Sequence, residues 1–124
     1  MKKTSVMDYV KIAAQIIYDK KGMNILALDV RNLSSITDYL LIADGNVEKH
    51  VIAMAKELLD VLQEAGVTPL HVEGLETGDW IVLDFPAFMI HLLIPSFREK
   101  YQLERIWPES KLIDLTLKNE NISG

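Results

Sequence analysis

The chain has 124 residues, 49% of them hydrophobic, and its 18 acidic against 13 basic side chains leave a net charge of −5. That length suits one domain able to bury about two-thirds of its unfolded surface, and the absence of cysteine excludes disulfide frameworks, thiolate nucleophiles and Cys-containing zinc sites. The acidic balance, with Lys and Arg nowhere densely clustered, argues for little direct nucleic-acid contact, because such affinity rests on neutralising phosphates.

At the N-terminus, Met1-Lys2-Lys3 resembles the basic end of a signal peptide, but Asp8 and Lys11 fall where its apolar stretch should follow. No run approaches the roughly 20 apolar residues of a membrane helix. The expectation is an untargeted, soluble, cytoplasmic protein. From Ser5 to Lys20, Val6, Tyr9, Val10, Ala13, Ile16 and Ile17 recur at helical spacing, with Thr4 or Ser5 to cap and Gly22 to stop. Ile25 to Val30 and Tyr39 to Ala43 are strand-length apolar runs joined by the turn-forming Arg31-Asn32-Leu33-Ser34-Ser35, and an antiparallel pair is expected.

Asn46 is placed to cap a second helix whose stripe is Val47, Val51, Met54, Ala55, Leu58, Leu59 and Leu62, ending at Ala65-Gly66. Three strand-like runs follow: Leu70 to Glu73, Trp80 to Phe85 and Phe88 to Ile94. A third helix is predicted from about Ser96 to Ile106, before Trp107-Pro108. The pattern predicts an α/β domain with a single mixed five-stranded sheet flanked by helices. It spans residues 1–108, and the tail, 109–124, is expected to be partly disordered, although Leu112, Ile113, Leu115 and Leu117 could cover an edge.

Several features invite a chemical reading. His71-Val72-Glu73 matches half of a zinc deaminase signature, but the other half needs two cysteines. His50, His71 and His91 lie too far apart to share a helix face; a metal would have to be held across strands, with His71 and His91 as possible neighbours, and an ordinary hydrogen-bonded role is favoured. Asp29, Asp38, Asp44, Asp79 and Asp84 stand near strand ends, where α/β enzymes place carboxylates. A two-metal transfer site, however, wants two carboxylates two apart on one strand, and no Asp-x-Asp occurs. Asp44-Gly45-Asn46 is not followed by a phosphate-cradling Lys-Ser or Lys-Thr, and Ser34-Ser35 sits in no nucleophile elbow. No metal or cofactor is expected.

A different signal comes from the last strands and helix. Trp80, Val82 and Asp84 share one strand face, with Ile81, Leu83 and Phe85 on the other. In a continuous third helix, Arg98, Tyr101 and Arg105 would form one stripe beside Glu104. A Trp, a Tyr and two Arg side by side have the composition of a protein-binding hot spot.

Taken together, Ala27-Leu28-Asp29-Val30-Arg31-Asn32-Leu33-Ser34-Ser35-Ile36-Thr37-Asp38-Tyr39, Ile42-Ala43-Asp44-Gly45-Asn46, Pro69-Leu70-His71-Val72-Glu73-Gly74, Gly78-Asp79-Trp80-Ile81-Val82-Leu83-Asp84 and the segment Arg98 to Trp107 resemble the ribosomal silencing factor (Iojap-like) family. The resemblance runs in order over roughly residues 5–108. It implies a nucleotidyltransferase-like topology without the catalytic carboxylates, and therefore a binding protein rather than an enzyme. It further implies binding to the large ribosomal subunit through ribosomal protein L14, steric exclusion of the small subunit, and repression of translation when nutrients are short. Homodimers are implied for some members, and Phe88 to Ile94 or the tail could supply the edge.

Carried onto this chain, the resemblance picks out Trp80 with its acidic neighbour Asp79, and Tyr101 with Glu104; Trp80 and Tyr101 are expected to be apolar anchors and Asp79, Asp84 and Glu104 to meet basic partner side chains, while Arg98 and Arg105 join them from the helix spacing alone. The alternative is a nucleotidyltransferase-like enzyme with a degenerate metal site. The chain departs from the family pattern in having Pro86-Ala87 for the usual Gly-Asp. Asp44, Val47 and Lys49 replace the common Thr, Ser and Arg, and Ser96 replaces a Glu.

Overall fold

The computed structural model describes residues 4–118. Helix α1 spans Val6–Asp19. Ser5 caps it: its hydroxyl accepts the Asp8 N–H at 3.1 Å, while the Asp8 carboxylate accepts the Ser5 N–H at 3.0 Å, so two of the N–H groups left over at a helix start are satisfied together. Strands β1 (Met23–Asp29) and β2 (Tyr39–Asp44) pair antiparallel, as their apolar runs predict. Helix α2 spans Glu48–Glu64, and Gly66, at φ +86°, takes the left-handed conformation that ends it. Val47 is its N-cap. Asn46 therefore stands one residue before the cap position, and its backbone N–H donates to Nδ1 of His50 at 2.9 Å.

Strands β3 (His71–Glu73), β4 (Trp80–Phe85) and β5 (Phe88–Leu93) follow, then α3 (Pro95–Tyr101), a 3-10 turn (Leu103–Arg105) and β6 (Lys111–Leu112). The sheet order is β3-β4-β5-β2-β1-β6, with β2 and β5 parallel and every other pair antiparallel. The sheet therefore has six strands, not five. The sixth is two residues long, too short to show an alternating pattern, and it lengthens the β1 edge.

Three other expectations change. The third helix stops at Tyr101 because Gln102 adopts φ 45°, and the backbone continues as a 3-10 turn. β5 lies inside the sheet between β4 and β2, so it offers no free edge to a second copy; the edges are β3 and β6. His71 and His91 sit on β3 and β5 with β4 between them, and are not strand neighbours.

Helices α1 and α2 cover one face. Val10, Ala13, Ala14, Ile17, Val51, Met54, Leu58 and Leu62 pack there against Leu41, Ile81, Leu83, Phe85, Phe88 and Ile90, and each fully buried large side chain contributes about 1.5–3 kcal/mol. The chain from β6 onward closes the margin of this layer. Ile113 donates its N–H to the Ala27 carbonyl at 2.9 Å, Leu115 and Leu117 rest on the core, and Gln15 exchanges two hydrogen bonds with the Lys118 backbone. Residues 119–124 of the tail lie outside the described residues.

The opposite face is covered only in part. Leu28, Val30, Leu40, Ile42 and Leu93 are buried there with Leu103, flanked by Trp80, Met89, Phe97 and Trp107. β4 and β5 are joined by Pro86-Ala87, above which Phe85 and Phe88 stack with centroids 4.8 Å apart. Ala87 sits at φ 70°, a region that costs a residue with a Cβ about 1–2 kcal/mol. Ala87→Gly is expected to stabilise the fold by about 0.5–1 kcal/mol once the freer unfolded chain is counted, read as a higher midpoint in urea denaturation.

Candidate partner-binding face

Burial along β4 alternates strictly: Ile81, Leu83 and Phe85 are buried, whereas Trp80, Val82 and Asp84 are half-exposed. In the antiparallel register, Val82 faces His91, Asp84 faces Met89 and His71, and Glu73 faces Val82, and directly opposed residues share a sheet face. Trp80, Val82, Asp84, Met89, His91, His71 and Glu73 thus lie on the side that α3 covers incompletely. A sharp turn sets the start of the strand. Gly74, at φ 82°, brings its backbone so close to the Trp80 carbonyl that a Cβ there would collide with it.

Trp80 is held from two sides. Its indole N–H donates to Nδ1 of His91 at 3.0 Å, and its ring meets Tyr101 at a centroid distance of 4.9 Å, tilted by 40°. Tyr101 is 43% exposed and is backed by Phe97, with centroids 5.6 Å apart. His91 must offer a lone pair at Nδ1 to accept the indole, so its proton resides on Nε2, which lies 3.2 Å from the Met89 sulfur. Burial pushes the His91 pKa down to about 4, which keeps the ring neutral and the acceptor available.

The charged candidates divide. Arg98 is turned inward, with 12% of its side chain exposed. Nη1 donates to Oδ1 of Asp44 and to the Asn24 carbonyl, both at 2.8 Å, and Nε donates to Oε1 of Glu104 at 3.2 Å. Arg98, Tyr101 and Arg105 do not form one stripe, because the helix breaks at Gln102; Arg105 is exposed at the rim of a cleft with Glu99 and Gln102. Asp79 accepts from the Thr77 hydroxyl at 3.0 Å, and its carbonyl accepts the Ile94 N–H. Asp84 lies on the β4 face beside Met89. Trp80, Tyr101 and Asp84 are therefore gathered on or beside one open surface, whereas Arg98 and Glu104 are tied to one another behind it.

Sequence reasoning missed two contributors. Asp44 was noted as a strand-end carboxylate but given no task; the available signal was a charge closing an otherwise apolar strand. His91 shares strand parity with the open face, yet only its pairing with Trp80 reveals an acceptor. The five strand-end carboxylates are scattered. Asp29 and Asp38 line a cleft in which Arg31 bonds Asp29 and holds its carboxyl below the usual range, Asp44 is buried, and Asp79 and Asp84 lie towards β4. Among the described residues no three His, Asp or Glu side chains are grouped to hold a metal ion.

The folded state resists protonating His91 until about pH 4, whereas the unfolded chain takes up that proton near 6.5. The unfolded state therefore binds the extra proton in that window, and the stability contribution, whole above about 6.5, is lost as pH falls towards 4, by at most on the order of 3 kcal/mol. Urea denaturation over this range should show the loss in the wild type and a shallower slope in His91→Gln.

A profile described as ribosomal silencing factor during starvation (RsfS) matches residues 3–123. The ribosomal silencing factor RsfS of Bacillus subtilis is 37% identical over 105 residues, which are 85% of this chain and 89% of that one. A crystal structure of a Chromobacterium violaceum protein superposes with a TM-score of 0.81 at 29% identity, covering 92% of this chain and 94% of that one. A mouse protein named mitochondrial assembly of ribosomal large subunit protein 1 is 27% identical over 101 residues, 79% of this chain and 44% of its own length. Sequence and fold agree along nearly the whole length: the chain belongs to the ribosomal silencing factor (RsfS) family.

Proposed function

We propose that the chain binds the large ribosomal subunit in the cytoplasm through ribosomal protein L14, blocks association with the small subunit, and so represses translation under nutrient limitation. The observation that carries this reading is the Trp80–Tyr101 pair: two large aromatic rings in contact at a half-covered sheet face, the arrangement through which interfaces concentrate their binding energy. Family membership supports the ribosome as the target, and the name of the mouse relative points to its large subunit.

In this reading Trp80 and Tyr101 enter apolar pockets of the partner. Asp79 and Asp84 meet basic side chains around them, adding rate and orientation more than affinity, and Arg105 contributes at the rim. An acidic chain suits a basic ribosomal protein and avoids the phosphates of the RNA. A nucleotidyltransferase-like reaction is the weaker reading, since the strand-end carboxylates lie apart and Asp29 and Asp44 are each engaged by an arginine.

Mixing large subunits with the protein before adding small subunits, then following whole-ribosome formation on a gradient, tests this directly. Wild type should suppress joining and sediment with the large subunit. Trp80→Ala and Tyr101→Ala, each checked for folding by circular dichroism, should bind more weakly by about 2 kcal/mol, roughly 30-fold. Undisturbed joining by the wild type, or full potency of both variants, would overturn the proposal.

A further inference from the structure

Helix α3 is seven residues long and buries none of its side chains completely; Phe97 is its one hydrophobic side chain packed on the core beneath, and so short a helix is not held by its own turns. Tyr101, its last residue, nevertheless rests on Trp80. The restraint comes from beneath the helix. Three residues before Tyr101, Arg98 reaches down to the closed end of β2, where Asp44 has 2% of its side chain exposed. One Asp44 oxygen takes the guanidinium at 2.8 Å and the other accepts from the Asn24 amide at 2.7 Å. Asn24 lies at an irregularity of β1, with φ 51°, which presents its carbonyl to the same guanidinium. Beyond Tyr101, the left-handed Gln102 turns the chain back so that Glu104 takes Nε of Arg98. No buried side-chain nitrogen or oxygen among the described residues lacks a partner.

We infer that Asp44, acting through Arg98, is a positioning residue for the partner-binding face: it locks α3 onto the sheet so that Tyr101 already stands against Trp80 before the partner arrives. The inference rests on the reading of that face as the large-subunit docking surface. Arg98 then contributes to binding without touching the partner, since its three donor contacts lie within the chain. Locking the ring in advance removes part of the ordering cost that binding would otherwise incur.

The test is a cycle of variants. Asp44→Asn removes the charge at constant size. Asp44→Asn/Arg98→Met removes both members, which avoids the uncompensated buried charge that a single arginine deletion would leave. Each is made alone and with Tyr101→Ala, and two quantities are measured: affinity for isolated large subunits by sedimentation, and the NMR position of the Trp80 indole N–H in the free protein. The double variant should lose about tenfold in affinity while Tyr101 is present and no more than about twofold once Tyr101 is alanine. In the free protein its indole signal should move towards that of Tyr101→Ala.

A tenfold loss that persists without Tyr101 would mean that Arg98 touches the partner itself, and would overturn the inference. So would an unmoved indole signal. If the double variant does not fold, Asp44→Asn carries the same comparison. If the wild type fails to bind large subunits, the docking reading falls, and the indole signal alone decides whether Asp44 and Arg98 place Tyr101.

Discussion

Strand β2 is buried at every position from Tyr39 to Asp44, and the second face of the molecule is built on that constraint. Leu41 and Ala43 belong to the layer under α1 and α2, while Leu40 and Ile42 belong to the layer under α3 and the 3-10 turn. A strand covered on both faces must be apolar throughout. Its final residue breaks the rule, and the broken rule is useful: a carboxylate shut into that position demands a cation, and Arg98 of α3 supplies it. The hydrogen-bonded neighbours of β2 extend the effect. β5 runs parallel beside it and carries His91, β4 pairs with β5 and carries Trp80, so both supports of the indole are referred to the same central strand.

The proposed docking through a half-exposed Trp80 and an exposed Tyr101 makes different demands from catalysis. The rings must be available yet must not collapse into the core, and here each is restrained by something polar. The indole is tethered through its N–H to a histidine that burial keeps neutral, and the phenol sits on a helix pinned by an ion pair. Buried ion pairs add little net stability compared with apolar packing, because desolvation offsets their attraction. Their value in such a place lies in geometry: a guanidinium with fixed donors selects one orientation of α3, where a greasy contact would accept several.

Periodicity made the two long helices legible, and alternation made β4 legible down to the face on which Trp80 stands. Alternation separates the two faces of β4 but leaves its register open, and only the structure pairs Val82 with His91 and Asp84 with Met89. What stayed hidden has physical reasons. Nothing in Gln102 announces a left-handed residue, so the third helix read as continuous and Arg105 was placed on a stripe that the backbone does not form. Two residues cannot display a period, so β6 was invisible as a strand. The bond between Asp44 and Arg98 joins positions 54 apart in sequence, and no local pattern encodes such a pairing.

The parallel pairing of β2 with β5 joins Tyr39 to Phe88 and Asp44 to Leu93, across a stretch that contains α2, β3 and β4. Hairpins such as β1–β2 and β4–β5 close over short loops, whereas this pairing must first overcome the entropy of a long one. The Asp44 carboxylate that holds Arg98 of α3 stands at the end of β2, so this bond depends on the long-range pairing that sets β2 beside β5. A chain still under synthesis, with β5 unpaired and α3 not yet emerged, carries Trp80 but not its partner ring. The ion pair that supports Tyr101 from below is thus a property of the completed sheet and not of the β4–β5 hairpin alone.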